Sequence, residues 1–357
     1  MPITLTSVAD LCALPFDTLV DVRSPAEFAE DHVPGAINLP ALSNEERARV
    51  GTIYKQDSPF KARKIGAALV ARNVAAHLDG PLAKKDGGWR PLVYCWRGGQ
   101  RSGSVAIILG QVGWRAETVA GGYKSWRRLV VALLQDTAFP APMVVLDGNT
   151  GTAKTEVLAR LAARGVQVID LEGLANHRGS LFGHREGGQP AQKWFESQLA
   201  VQVAALDPAR PVVVEAESSR IGAVEVPKAV WAAIRAAPRV RIAAPLTARA
   251  DYLARAYADV TEDAARLQAV IARLRPLHAA EVIDDWLEQA RAGAFADLAA
   301  DLMRRHYDPR YEKHRARMDP SREATVTADR LDAAGIEALA ADVEASVARL
   351  AGARPSL

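Results

Sequence analysis

The chain has 357 residues, above the size at which one hydrophobic core usually stops growing, so two domains are expected. With 49% apolar and 24% charged residues, its composition excludes a disordered chain, a collagen and a disulfide-stapled miniprotein. Lys and Arg outnumber Asp and Glu by 45 to 42, a net charge of +3, which permits a nucleic-acid partner without arguing for one.

The N-terminal MPITLTSVAD lacks a basic stretch followed by an apolar run, so no secretory leader is expected. The longest apolar stretches meet Arg, Gln or Asp before membrane-spanning length, and two cysteines cannot build a disulfide framework. A cytoplasmic protein with no membrane partner is the expectation. In chain order, DTLVDVR, GAINLP, PLVYCW and AETVA read as strands, with SPAEFAED, FKARKIGAALVARNVAAHL and RSGSVAIILGQVG as helices. The Pro-rich QDTAFPAPM at 135–143 disfavours helix and marks a junction. Beyond it the alternation restarts. MVVLDG, VQVIDL, PVVVEAES and VRIAAPL read as strands, and KTEVLARLAARG, QPAQKWFESQLAVQVAAL and VPKAVWAAIRAA as helices. From residue 247 the pattern is almost entirely helical, to a last helix around IEALAADVEASVARLAG. Strands alternating with helices predict two α/β domains with parallel sheets, residues 1–137 and 138–357, the second with a helical C-terminal extension.

The sharpest local feature is PLVYCWRGGQRSGS. An apolar strand delivers Cys95 to its carboxyl end, a glycine loop follows, and a helix begins near Arg101. Loop amides, the positive end of the helix and the arginines Arg97 and Arg101 suit a bound anion. The same field lowers a thiol pKa, so Cys95 is the candidate nucleophile. Such a thiolate could attack a sulfur or selenium donor, carry a persulfide or perselenide, or attack a phosphate. Cys12, in DLCALPFD, has no basic neighbours and reads as core filler.

The second domain opens with MVVLDGNTGTAKTEVLARL. A strand, a loop from Gly148 through Asn149, Thr150, Gly151, Thr152 and Ala153, then Lys154-Thr155 opening a helix, is the context of a phosphate loop. Its amides would cradle a phosphate pair, Lys154 would neutralise charge, and Thr155 could ligate Mg²⁺. Ala153 stands where a second glycine is expected, which costs energy if that position needs positive φ. Glu215 or Glu217, on PVVVEAES, is the candidate acidic partner. VIDLEGLANHRGSLFG (168–183) crowds Asp170, Glu172, Asn176, His177, Arg178 and Ser180 into a loop after a strand, where α/β domains place their sites.

In MRRHYDPRYEKHRARM (303–318), Arg304, Arg305, Arg310, Lys313, Arg315 and Arg317 interleave with His306, Tyr307, Tyr311 and His314. Cations bind phosphates and aromatic rings stack on unpaired bases, so this run is a candidate tRNA contact as well as a solvated helix face. Gly66, inside a helical pattern, could admit an apolar tail or a neighbouring helix; Trp194 and Phe195 read as core.

The first domain resembles the rhodanese family through DVRSPAEFAEDHVPGAINLP (21–40), the cysteine loop and VAGGYKSWRRL (119–129), in that order. The resemblance implies that Cys95 carries a chalcogen, cradled by the amides of Trp96, Arg97, Gly98, Gly99, Gln100 and Arg101. The C-x5-R spacing of Cys95 and Arg101 is one residue longer than the common sulfurtransferase form and is similar to rhodanese-fold dual-specificity phosphatases, so a phosphatase or simple sulfurtransferase with a nucleotide-binding regulatory domain stays open. With YKQDSPFKARKIGAALV (54–70), DLEGLANHRGSLFG and VEAESSRIG (214–222), the whole chain resembles the bacterial tRNA 2-selenouridine synthases. That resemblance implies a transferase acting on wobble 2-thiouridine in the tRNA anticodon loop. It geranylates the sulfur from geranyl diphosphate and then replaces it with selenium from selenophosphate, with no tightly bound cofactor. Under it the phosphate loop could hold geranyl diphosphate instead of a nucleotide.

Overall fold

The computed structural model describes residues 2–316 and 319–352; Arg317 lies outside them, as do the side chains of Cys12 and His314. Contacts divide the chain into two compact units. One comprises the residues up to Ala138 together with Pro190–Ala205, and the other comprises Phe139–Gln189 and the chain from Leu206 onward.

In the first unit β1 (Thr18–Asp21), β2 (Ile37–Asn38), β3 (Pro91–Tyr94) and β4 (Glu117–Thr118) form a parallel sheet of order β2-β1-β3-β4. All four residues of β3 are buried, as an apolar run in a central parallel strand should be, and Pro91 sits at its first position, where the sheet tolerates it. Thr18 opposes Pro91 and Asp21 opposes Tyr94, so the carboxyl ends of β1 and β3 lie level. The helix Asn44–Gln56 was not read from the sequence; Ser43 and Glu46 start it with a capping box. It packs on the helix Pro59–Asp79. A Cβ at Gly66 would lie 3.6 Å from Val50 Cγ1, so this glycine serves helix packing.

The second unit contains β5 (Met143–Gly148), β6 (Gln167–Ile169), β7 (Val212–Glu215), a hairpin of β8 (Arg220–Ile221) and β9 (Val224–Glu225), β10 (Arg239–Ala243) and β11 (Glu323–Thr327). Five of these form a parallel sheet of order β11-β10-β5-β7-β6. Its core joins Val144, Leu146, Val213 and Ile242 to Val157 and Leu161 of the helix Lys154–Ala163 and to Leu339 and Val343 of the helix Ala333–Gly352. A separate helical cluster gathers Phe182, Val260, Leu267, Trp286, Leu298 and Leu302.

The mainly helical C-terminal region also carries a strand not read from the sequence: EATVT forms the edge strand β11, paired with β10 over its full length. One expectation is corrected. The helix Gln192–Ala204, expected within 138–357, belongs to the first unit. Its polar contacts explain why. Trp126 Nε1 donates to Ser197 Oγ (3.2 Å), Ser197 Oγ donates to Asp31 (3.2 Å), and Arg127 pairs with Glu196. Trp194 stacks on His32 with ring centroids 4.0 Å apart, and Phe195 is fully buried. Among the described residues no helix is long and apolar enough to cross a membrane.

Candidate active sites

Cys95 emerges from β3 with only 4% of its surface exposed. Gly99 N–H and the Ser102 hydroxyl approach its Sγ at 3.4 and 3.3 Å. Burial pushes the thiol up, but donors from Ser102, Gly99 and Arg97 more than offset it and hold Cys95 below its ordinary value. The loop carbonyls are turned the other way: Tyr123 N–H donates to Cys95 O (2.9 Å) and Lys124 N–H to Trp96 O (3.1 Å). With carbonyls satisfied by the start of the helix Gly122–Val131, the loop amides are left to face an anion.

Two glycines permit that closeness. Gly98 has φ +65°, and a Cβ there would sit 2.5 Å from Val119 O; Gly122 has φ +56°, and its Cβ would sit 2.1 Å from Cys95 O. Arg97 and Gln100 are exposed, whereas Arg101 donates to Glu27 at 2.9 Å, so only part of its guanidinium fork is engaged. Beneath the loop Arg23, 1% exposed, pairs with Asp21 and lies over the Tyr123 ring at 4.0 Å. Tyr123 donates to Asp31 at 2.6 Å, linking the loop's supporting helix to the helix Gln192–Ala204 through Ser197. Asp21, Arg23, Asp31 and Tyr123 lie in the stretches that carry the rhodanese resemblance, but their pairing with one another and with Ser197 was not read from the sequence.

In the second unit the loop after β5 wraps around Lys154, whose Nζ donates to Gly148 O at 2.9 Å. Burial lowers the Lys154 pKa, but the surrounding Tyr311, Glu172, Asp147 and Glu217 more than offset it and hold the ammonium above its ordinary value. Ala153 is left-handed at φ +57°, a strain of about 1 kcal/mol, and its methyl is buried in the sheet core, which offsets a similar amount. Arg249, itself buried, donates to Thr150 O (3.2 Å) and grips Asp308 through both Nη atoms (2.9 and 2.8 Å). Asn149 Nδ2 also donates to Asp308 (2.8 Å), and the Thr152 hydroxyl to Asn149 O (2.8 Å).

This loop lines a cavity of about 1050 Å³. The structure separates the sequence-predicted residues accordingly. Glu172, Arg178, Ser180 and Glu217 line the cavity, whereas Asp170, His177 and Glu215 do not. Asp170 caps the short helix Leu171–Leu174, accepting from Gly173 N–H at 2.7 Å. His177 Nδ1 accepts from Gly179 N–H at 3.1 Å within its own turn, and Glu215, 2% exposed, accepts from Glu172 N–H at 2.7 Å. Glu217 is pushed up to about 8 by burial and by the neighbouring Glu172, against the pull of Lys154. Thr155 Oγ1 lies 3.2 Å from Glu172 Oε2.

The C-terminal basic run divides too. Arg310 and Arg315 line the same cavity, with Tyr307 and Tyr311, because the helix Phe295–Leu302 passes through a π-turn at Met303–Tyr307 into the helix Asp308–Arg315. Arg304 and Arg305 are exposed and pair with Asp301 at 3.4 and 3.8 Å, and Lys313 is exposed. Arg185, Arg235, Arg239 and Arg322, which the sequence did not single out, also line the cavity.

A parallel-sheet unit built around a cradled thiolate, joined to a parallel-sheet unit built around a phosphate loop, defines a rhodanese-type domain fused to a phosphate-binding α/β domain. Residues 4–129 match the rhodanese-like domain and residues 141–276 match the tRNA 2-selenouridine synthase AAA domain. The tRNA 2-selenouridine synthase of Aeromonas salmonicida is 39% identical over 67% of this chain and 64% of its own length. That of Nitrosomonas europaea is 34% identical over 80% of this chain and 74% of its own. The chain belongs to the tRNA 2-selenouridine synthase family. It spans less than two thirds of the length of the Aeromonas relative. A solved gluconokinase from Sinorhizobium meliloti aligns at 18% identity over 60% of this chain and 96% of its own, with a TM-score of 0.26.

Proposed function

We propose that the protein converts wobble 2-thiouridine of tRNA to 2-selenouridine through an S-geranyl intermediate, using geranyl diphosphate and selenophosphate. The observation that carries this reading is the make-up of the second unit's cavity. A phosphate loop, seven arginines and the rings of Tyr252, Tyr257, Tyr307, Tyr311 and Trp231 line one space. A diphosphate needs the loop; an RNA strand with an unstacked base needs the arginines and rings.

In the first step the uridine sulfur attacks C1 of the geranyl chain, a carbon–sulfur bond forms, the carbon–oxygen bond breaks, and diphosphate departs. Lys154 and the loop amides stabilise its growing charge without any γ-phosphate. The N3 proton of the thiouracil is released, and Glu172 is the cavity carboxylate available to it. Thr155 Oγ1 and Glu172 Oε2 are suitable hard oxygen ligands for Mg²⁺, which would add charge neutralisation. Among the described residues no group of three acidic, His or Cys side chains forms a metal site, so such an ion would be held jointly with the diphosphate.

In the second step Cys95 handles the selenium donor. Attack of the thiolate on phosphorus forms a sulfur–phosphorus bond, breaks the selenium–phosphorus bond and releases hydroselenide, with no change of redox state. Arg97, the exposed part of Arg101 and the amides of the long loop bind the tetrahedral oxyanion. Water then frees phosphate from the cysteine. Hydroselenide adds at C2 of the alkylated uridine and geranylthiol leaves, a better departure than sulfide. The test is nucleoside mass spectrometry on 2-thiouridine tRNA incubated with the protein, geranyl diphosphate and selenophosphate. Selenouridine is expected; unchanged thiouridine, together with hydrolysis of an aryl phosphate, would replace this reading with a phosphatase.

A further inference from the structure

Beside the phosphate loop the second unit holds a smaller apolar pocket of about 70 Å³. It is lined by Phe182, Val260, Leu267 and Leu298 of the helical cluster, together with Met303 and Ala299. Five residues line both this pocket and the large cavity: Thr150, Ser180, Leu253, Tyr257 and Tyr307. Thr150 belongs to the phosphate loop itself, and Arg249 fixes its carbonyl at 3.2 Å. The pocket therefore opens where a ligand anchored on the loop would send whatever is attached to its phosphates.

We propose that this pocket receives the far end of the hydrocarbon chain of an organic diphosphate bound on the loop, and that it sets the length of that chain. The proposal rests on the reading of the loop as a diphosphate site. No charged side chain lines the pocket, and apart from Thr261 its hydroxyls belong to residues shared with the large cavity, so a ribose and base inside would bury more polar groups than the walls could pair. The volume matches about five water-sized groups, hence one five-carbon isoprene unit. A ten-carbon chain would place its first unit at the mouth, against Leu253, Tyr257 and Tyr307, and its second inside. A five-carbon chain would stop at the mouth, and a fifteen-carbon chain would exceed the space. Chain length is thus read by the helices Leu246–Ala256 and Phe295–Leu302, away from the reacting carbon.

The experiment measures binding of inorganic pyrophosphate and of dimethylallyl, geranyl and farnesyl diphosphates to the full chain by calorimetry, in wild type and in Ala299→Phe. Wild type is expected to bind geranyl diphosphate on the order of a hundredfold more tightly than pyrophosphate, because apolar carbons leave water. Ala299→Phe, from a half-buried position on the pocket wall, should abolish that gain and leave pyrophosphate affinity unchanged. Leu298→Ala, which deepens the pocket, should move the preference toward the farnesyl chain. Pyrophosphate binding with no gain from any chain, or a gain that survives Ala299→Phe, overturns the pocket assignment alone. A wild-type protein that binds none of the four, including pyrophosphate, overturns the diphosphate reading of the loop as well.

Discussion

The two anion loops of this chain share a plan and differ in what surrounds it. Each follows a buried strand, β3 or β5, and each runs into the N-terminus of a helix. The Cys95 loop is pressed against backbone, with Gly98 and Gly122 left no room for a side chain. It encloses a buried cysteine whose thiol is held below its ordinary value. The Gly148–Lys154 loop supplies a cation and no nucleophile, and it faces a cavity of about 1050 Å³ with arginines, carboxylates and rings. Under the proposed reaction the same local motif would serve two chemistries. A tight cradle with a thiolate would do covalent work on a small donor, whereas an open cradle with a lysine would stabilise a leaving group on a larger one.

Removing the cation of the open loop should separate the two most sharply. Lys154→Ala is expected to lower geranylation by about two to three orders of magnitude, as loss of a charge stabiliser does. The rate at which iodoacetamide alkylates Cys95, read by mass spectrometry of the intact protein, should not change. A smaller loss is expected when the tight loop is forced open: Gly122→Ala needs φ +56° and a 2.1 Å approach to Cys95 O. It should destabilise the first unit by about 3 kcal/mol in denaturant unfolding and slow alkylation of Cys95, with geranylation retained. Ser102→Ala tests the thiolate more gently. Loss of one of its donors raises the thiol pKa and should slow alkylation near pH 7 by about tenfold, an effect that disappears at high pH where every thiol is ionised.

The smallest effect concerns the open loop's carboxylates. With Glu217 raised to about 8 from an ordinary 4.5, the folded state keeps a proton that the unfolded chain has already lost. Stability from this group is complete below about pH 4.5 and is lost progressively as pH rises toward 8. Glu217→Gln should flatten that decline, seen as a melting temperature a few degrees less sensitive to pH over this range.

Much of this comparison was legible in the residues themselves, because each loop is a short contiguous string whose glycines, charges and strand–helix context carry its meaning. What escaped was assembled from distant positions. The helix Gln192–Ala204 has an ordinary helical sequence. Contacts with Glu30, Asp31, His32, Trp126 and Arg127 draw it into the first unit. Strand β11 is polar and at a sheet edge, so EATVT carries too little apolar alternation to stand out after a long helical run. Arg310 and Arg315 read equally as a tRNA contact or a solvated face, and the sequence does not show that the π-turn at Met303–Tyr307 directs their helix onto the cavity. His177 stood out by its neighbours, yet its ring satisfies its own turn. The apolar pocket joins Thr150 to Tyr307, and Gly66, the sequence's suggestion for such a slot, packs against a helix instead.

The division of labour between the two loops is tested most directly by incubating Cys95→Ala with 2-thiouridine tRNA, geranyl diphosphate and selenophosphate, then analysing the nucleosides by mass spectrometry. S-geranyl-2-thiouridine should accumulate and selenouridine should be absent. Selenouridine formed without Cys95, or thiouridine left unalkylated by this variant while wild type alkylates it, would contradict the assignment of one chemical step to each loop.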